Sequence, residues 1–187
     1  MEKKYKLTEE TINVDGRTLY RIEALKDFDV VEKGDKGGFI ENESNLSQSG
    51  DCWVYGNAKV SDNAMVCGNA WVFGNADVYG IAEVCDNARV YGRARIYGNA
   101  EILAKTVVCG DAEITSNSDY ILFKNWWSSG RHFTWTRSNN MWKVGCFYGT
   151  GKELIEKAYK DSKLSGREYE RVLKYIESIL KDNNTDV

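Results

Sequence analysis

The side chains best suited to chemistry are concentrated in one stretch, and their types suit binding better than catalysis. Between Tyr120 and Lys152 stand Lys124, Arg131, Arg137, Lys143 and Lys152 with no Asp or Glu, interleaved with Phe123, Trp126, Trp127, Phe133, Trp135, Trp142, Phe147 and Tyr148. Cations beside aromatic rings suit a stacked base with its phosphate, or an acidic protein surface. The same rings also suit the core of a small domain, with the charges solvating the opposite face. The candidate binding residues are Lys124, Trp126, Trp127, Arg131, His132, Trp135, Arg137 and Lys143. Trp126 and Trp127 read as neighbours on a strand, which would point them to opposite faces. One indole should then be exposed or covered by a partner.

Catalytic and metal-ligating sets are missing from the sequence. His132 is the single histidine, read as a surface or half-packed side chain at a strand start. Gly149-Thr150-Gly151-Lys152-Glu153 superficially resembles a phosphate loop. Cys146 stands where the first glycine of that loop belongs, and Glu153 where a Ser or Thr must follow the lysine. A helix capping box, Thr150 with Glu153, explains the segment fully. The five cysteines, Cys52, Cys67, Cys85, Cys109 and Cys146, are odd in number and form no Cys-x-x-Cys pair. Neither a zinc site nor a disulfide framework is expected, and a reduced cytoplasmic setting is the simplest reading. No cofactor is expected.

The elements that must position these residues follow from a repeat. An aliphatic residue returns every six positions at Val54, Val60, Val66, Val72, Val78, Val84, Val90, Ile96, Ile102, Val108 and Ile114. A small residue stands four places after each of the first ten, from Ala58 to Ala100, then Thr106 and Ala112. Gly or Asp nearly always fills the second place after the aliphatic and Asn usually the third. Both tolerate the left-handed backbone of tight corners. So short a period means stacked coils of parallel β-structure. Three hexads make a coil of eighteen residues, with successive coils about 4.8 Å apart.

Stacking at that spacing collects Trp53, Tyr55, Trp71, Phe73, Arg89 and Tyr91 into an aromatic wall too apolar to be left in water without reason. Burial within the chain, self-association or a partner could cover it. Cys67 and Cys85 also stack, within disulfide range. In-register parallel neighbours seldom have suitable torsions, so free thiols are expected there.

Residues 1–36 read as an N-terminal cap, a β-hairpin turning at Asp15-Gly16 that covers the first coil. The β-helix spans 37–118, with two extra residues near Ser47–Gly50 bulging at a corner. Residues 119–181 read as a small α+β domain. Its two helices begin at capping boxes on Thr150 and Ser165, and 182–187 form a disordered tail. The formal charge of -3 divides into -6 for residues 1–118 (13 Lys+Arg, 19 Asp+Glu) and +3 for residues 119–187 (12 and 9). That balance does not suit coating long nucleic acid, and no apolar run is long enough for a membrane span.

The phrase Val-Tyr-Gly-Asn-Ala resembles the left-handed β-helix of hexapeptide-repeat proteins. Three flanking segments narrow the match: Lys33 to Glu41 (KGDKGGFIE), Asn45 to Val54 (NLSQSGDCWV) and Gly145 to Thr150 (GCFYGT). With them nearly the whole chain resembles a group of small proteins common in phages and prophages of gut-type bacteria. The resemblance implies a mainly β fold, a left-handed parallel β-helix with a small C-terminal α+β domain, and a mobile-element origin. Many hexapeptide-repeat proteins are trimeric acyltransferases, which resemble one another in using a solenoid histidine as general base. His132 lies outside the repeat, and the carbonic anhydrases on the same solenoid need three histidine ligands.

The expectation is therefore a non-enzymatic binding protein of the host bacterial cytoplasm. It would bind and inhibit or sequester a host component, a defence protein or its nucleotide signal, and would form a homo-oligomer, with a trimer preferred. A structural trimeric scaffold displaying the C-terminal domain, and more distantly an acyltransferase, remain as alternatives.

Overall fold

A computed structural model describes residues 3–182, and of the tail expected at 182–187 all but Asp182 lies outside the described residues. The chain divides into two compact units. The first ends at Ile121 and takes back Thr136–Asn139; the second comprises Leu122–Trp135 and the chain from Asn140 onward.

The first unit is a parallel β-solenoid of about four turns with a hairpin continuing one wall. Asp15 (φ 51°) and Gly16 (φ 83°) make the tight turn between β1 (Tyr5–Val14) and β2 (Arg17–Ala24). β2 pairs antiparallel with β3 (Lys36–Ile40). Eleven two-residue strands follow: β4 (Trp53–Val54), β5 (Lys59–Val60), β6 (Met65–Val66), β7 (Trp71–Val72), β8 (Asp77–Val78), β9 (Glu83–Val84), β10 (Arg89–Val90), β11 (Arg95–Ile96), β12 (Glu101–Ile102), β13 (Val107–Val108) and β14 (Glu113–Ile114). They stack in three walls, β4-β7-β10-β13, β6-β9-β12, and β3-β5-β8-β11-β14, the last joined to β2.

Partners are eighteen residues apart, as in Val54↔Val72, Val60↔Val78 and Val66↔Val84. Leu46 bridges Val66 at a spacing two residues longer, so the Ser47–Gly50 insertion is where the repeat placed it. The repeated aliphatic and alanine residues are buried in a single core. The residue after next from each aliphatic from Val54 to Val108 has positive φ, from Gly56 (61°) through Asp62 (56°) and Asp86 (60°) to Gly110 (72°). The two aspartates also tie coils together: Asp62 Oδ2 accepts from Gly80 N at 3.0 Å and Asp86 Oδ2 from Ala104 N at 2.9 Å.

The thiols expected free at Cys67 and Cys85 are instead joined in a disulfide. In-register stacking on neighbouring strands brings their Cα atoms to 4.6 Å, inside the bonding range. At the far end a single 3-10 turn, Asn117–Asp119, closes the unit. Burial pushes the Asp119 carboxyl up, but donors from Thr115 N, Thr115 Oγ1 and Ser116 N outweigh it and hold the group below the usual range.

The second unit carries most of a sheet of β15 (Tyr120–Lys124), β16 (His132–Thr136), β17 (Met141–Val144) and β18 (Phe147–Gly149), hydrogen-bonded in that order. Helices α1 (Gly151–Asp161) and α2 (Lys163–Asp182) pack with it, so Asp182, expected in the tail, ends a helix. Thr150 caps α1 as expected: Glu153 N donates to Thr150 Oγ1 at 3.3 Å and Thr150 N to Glu153 Oε2 at 2.8 Å. The capping box expected at Ser165 does not form. Ser165 lies inside α2, and Ser162 is the cap, its Oγ accepting from Ser165 N at 3.0 Å. Within α2, the Tyr159 ring lies where a Cβ at position 166 would stand, so the tight α1–α2 crossing favours a glycine there.

Candidate functional site

Trp126 and Trp127 lie in a tight turn between β15 and β16, not on a strand as the sequence suggested. Asn125 makes that turn. Its Oδ1 accepts from Trp127 N at 3.1 Å and Ser128 N at 3.0 Å, and its Nδ2 donates to Ser128 Oγ at 2.8 Å. Asn125 N donates to Arg131 O at 2.7 Å across the base of the loop. A buried Asn that bonds the backbone two and three residues ahead replaces strand pairing with an Asx-type turn.

The turn separates the two indoles, as strand alternation would have done by another route. Trp127 packs inward, edge-on to Tyr169 at 5.2 Å and tilted to Phe133 at 6.4 Å. Trp126 meets it edge-on at 6.1 Å yet is 81% exposed. So large an apolar ring, held in water by a hydrogen-bonded loop over an aromatic base, is an unusual surface.

Two cations stand beside the loop. The Lys124 side chain passes Gly130, its Cε 3.9 Å from where a Cβ would be, and the Arg131 guanidinium lies over the turn at Gly145. Both are exposed, and among the described residues neither has a carboxylate partner. His132 and Lys143 are half-buried on β16 and β17.

Two residues of the expected patch sit elsewhere. Trp135 is 2% exposed, its Nε1 donating to Asn140 Oδ1 at 2.8 Å, and it lies at the floor of an open cleft lined also by Trp142, Lys152, Leu173 and Glu177. It supports the sheet from inside. Arg137 belongs to the first unit, where its N donates to Asp119 O at 2.8 Å. The residues brought together are thus Lys124, Trp126, Trp127 and Arg131. Sequence reasoning missed Asn125, whose signal was an Asn just before the Trp pair with Ser-Ser-Gly after it.

The aromatic wall of the first unit is divided. Trp53 is fully buried, with Phe28 at 5.3 Å and Tyr5 at 6.1 Å edge-on to it. Tyr55 is half-buried between Trp53 and Trp71, and burial pushes its hydroxyl up to about 12, with Asp29 and Asp35 adding to the effect. Trp71, Phe73 and Tyr91 remain half-exposed. Phe73 stacks on Tyr91 at 4.6 Å, and the exposed Arg89 guanidinium lies 4.9 Å from the Trp71 ring. On the adjacent wall Tyr79 and Tyr97 stack at 4.9 Å, and the cations are paired: Lys59 with Asp77 at 2.6 Å, Arg95 with Glu113 at 2.8 Å.

Among the described residues no three His, Cys, Asp or Glu side chains gather into a metal-ligating group. No described helix is long and apolar enough to cross a membrane. Compared with known proteins, the chain matches no family model and no curated sequence.

Proposed function

We propose that this chain is a non-enzymatic binding protein whose second unit grips an acidic partner with Trp126, Lys124 and Arg131. The supporting observation is the exposure of Trp126 on a loop that Asn125 ties together with side-chain hydrogen bonds. An ordered indole loses little entropy on docking, which is why tryptophan so often anchors an interface. The exposed cations beside it, without a carboxylate partner among the described residues, complement carboxylates or phosphates.

The finer reading follows the resemblance. The solenoid is a left-handed hexapeptide β-helix with the β1–β2 hairpin as its cap, the chain is phage-derived, and its target is a host defence protein or that protein's nucleotide signal. A second reading, a self-associating scaffold, is favoured by half-exposed Trp71 and Phe73 beside exposed Arg89. A trimer built on that wall would display the second unit.

Native mass spectrometry on protein purified from a bacterial host tests both. The expected result is a bound mass that Trp126→Ala loses. Truncating an anchor of this kind costs about 2 kcal/mol or more, roughly a 30-fold weaker complex. No bound mass, or one that the variant retains, rejects the reading. A trimer without bound mass supports the scaffold.

A further inference from the structure

Lys4 and Cys52 form a buried pair that the binding function does not use. Lys4 is 1% exposed and Cys52 fully buried, whereas lysine heads normally stay in water. Lys4 Nζ donates to Cys52 O at 2.9 Å and Gly50 O at 3.2 Å, and stands 3.2 Å from Cys52 Sγ. The backbone holds it there: Lys4 N donates to Gln48 Oε1 at 2.7 Å, and Leu25 N donates to Lys4 O at 2.8 Å. The Ser47–Gly50 insertion also approaches the sulfur, with Ser47 O at 3.6 Å and Ser49 O at 3.7 Å.

Burial lowers the pKa of Lys4 and raises that of Cys52, while their mutual attraction opposes both shifts. Burial therefore enlarges the fraction of Lys4 that is a neutral amine with a lone pair near sulfur. Beside the pair an open cleft of about 640 Å³ is lined by Gln48, Ser49, Gly50 and Asp51, the loop that encloses Cys52. A water-sized oxidant can reach the loop from it.

We infer that Lys4 Nζ and Cys52 Sγ are an oxidative modification site, closed by hydrogen peroxide into a nitrogen–sulfur cross-link. In the first step the Cys52 thiol gives its proton to the neutral Lys4 amine 3.2 Å away, and the thiolate attacks peroxide, the departing hydroxide taking that proton back from Lys4. The O–O bond breaks, sulfur is oxidised by two electrons to the sulfenic acid, and one water leaves. In the second step the Lys4 lone pair attacks that sulfur. The N–S bond forms, the S–O bond breaks, and hydroxide departs with a proton from nitrogen as a second water. The sum is amine, thiol and one peroxide giving the sulfenamide and two waters. A thiol reductant returns both side chains. The bond ties the segment before β1 to the first coil.

The test treats the folded full-length protein with hydrogen peroxide, alkylates it and digests it without reductant for mass spectrometry. Exposed Cys146 serves as the dose marker. The expected product is a peptide pair joining residues 4 and 52, two hydrogens lighter than its parts and separated by reductant. Cys52→Ser and urea-unfolded protein should both lack it. Unfolded protein is the control that depends on no variant folding. The inference is overturned if Cys146 oxidises while Cys52 is recovered alkylated, or if Cys52 gains oxygen without joining Lys4. A joined pair that keeps the oxygen likewise rejects the nitrogen–sulfur bond.

Discussion

Ala104 occupies a corner position that Gly or Asp fills elsewhere, and its φ is 59°. A Cβ in that region crowds the following carbonyl and costs about 1–2 kcal/mol, which glycine avoids. The corner persists because Asp86 holds the Ala104 amide from the coil below. Ala104→Gly should therefore raise stability by about 1 kcal/mol, net of the extra freedom glycine gains in the unfolded chain. Urea denaturation would read that as a higher midpoint at unchanged slope, and a lower midpoint would show that Ala104 packing outweighs its backbone cost. In the sequence Ala104 is the departure from Gly or Asp two places after the aliphatics from Val54 to Val108. That the departure keeps the corner conformation required the backbone itself.

At the scale of elements, solenoid coils are held by neighbour contacts, so a covalent tie between two of them acts locally. The Cys67–Cys85 disulfide joins β6's coil to β9's across a separation of 18 residues. Closing a loop of that size stabilises by about 3 kcal/mol on the chain-entropy account. Reductant, or the Cys67→Ser variant, should lower the melting temperature accordingly, while Cys146→Ser should leave it unchanged. Equal melting with and without reductant, on protein whose non-reducing mass shows the bond, would contradict the estimate. The eighteen-residue register of these strands followed from the hexads alone. Whether two stacked thiols bond depends on where their sulfurs point, which no spacing states.

Across the whole molecule the charge is segregated, -6 in residues 1–118 and +3 in residues 119–187. A partner bound through Lys124 and Arg131 is held partly by charge, and salt screens exposed charges beyond about 10 Å at 0.1 M. Affinity should fall as salt rises. The Lys124→Ala/Arg131→Ala double variant should flatten that dependence, whereas Trp126→Ala should weaken binding at every salt concentration with the slope unchanged. Isothermal titration over a salt series separates the two effects, and a salt-independent affinity in the unaltered protein would remove the electrostatic part of the proposal.

The sequence by itself determined the solenoid, its walls, its corner residues, the Asp15-Gly16 hairpin and the Thr150 cap. Each follows from residues within one hexad, one turn or one fixed period, so local backbone preference and burial suffice to read them. Tertiary structure alone decided that Trp53 is sealed by Tyr5 and Phe28, that Lys4 is buried against Cys52, and that Arg137 and Trp135 leave the basic patch. It also decided which indole of the Trp126-Trp127 pair faces water. Those outcomes depend on contacts between residues distant in sequence, and on side-chain directions that a repeat leaves free. The coils are periodic and could be read by counting, but the candidate site is not, because one asparagine turn and its packing against Tyr169 set its geometry.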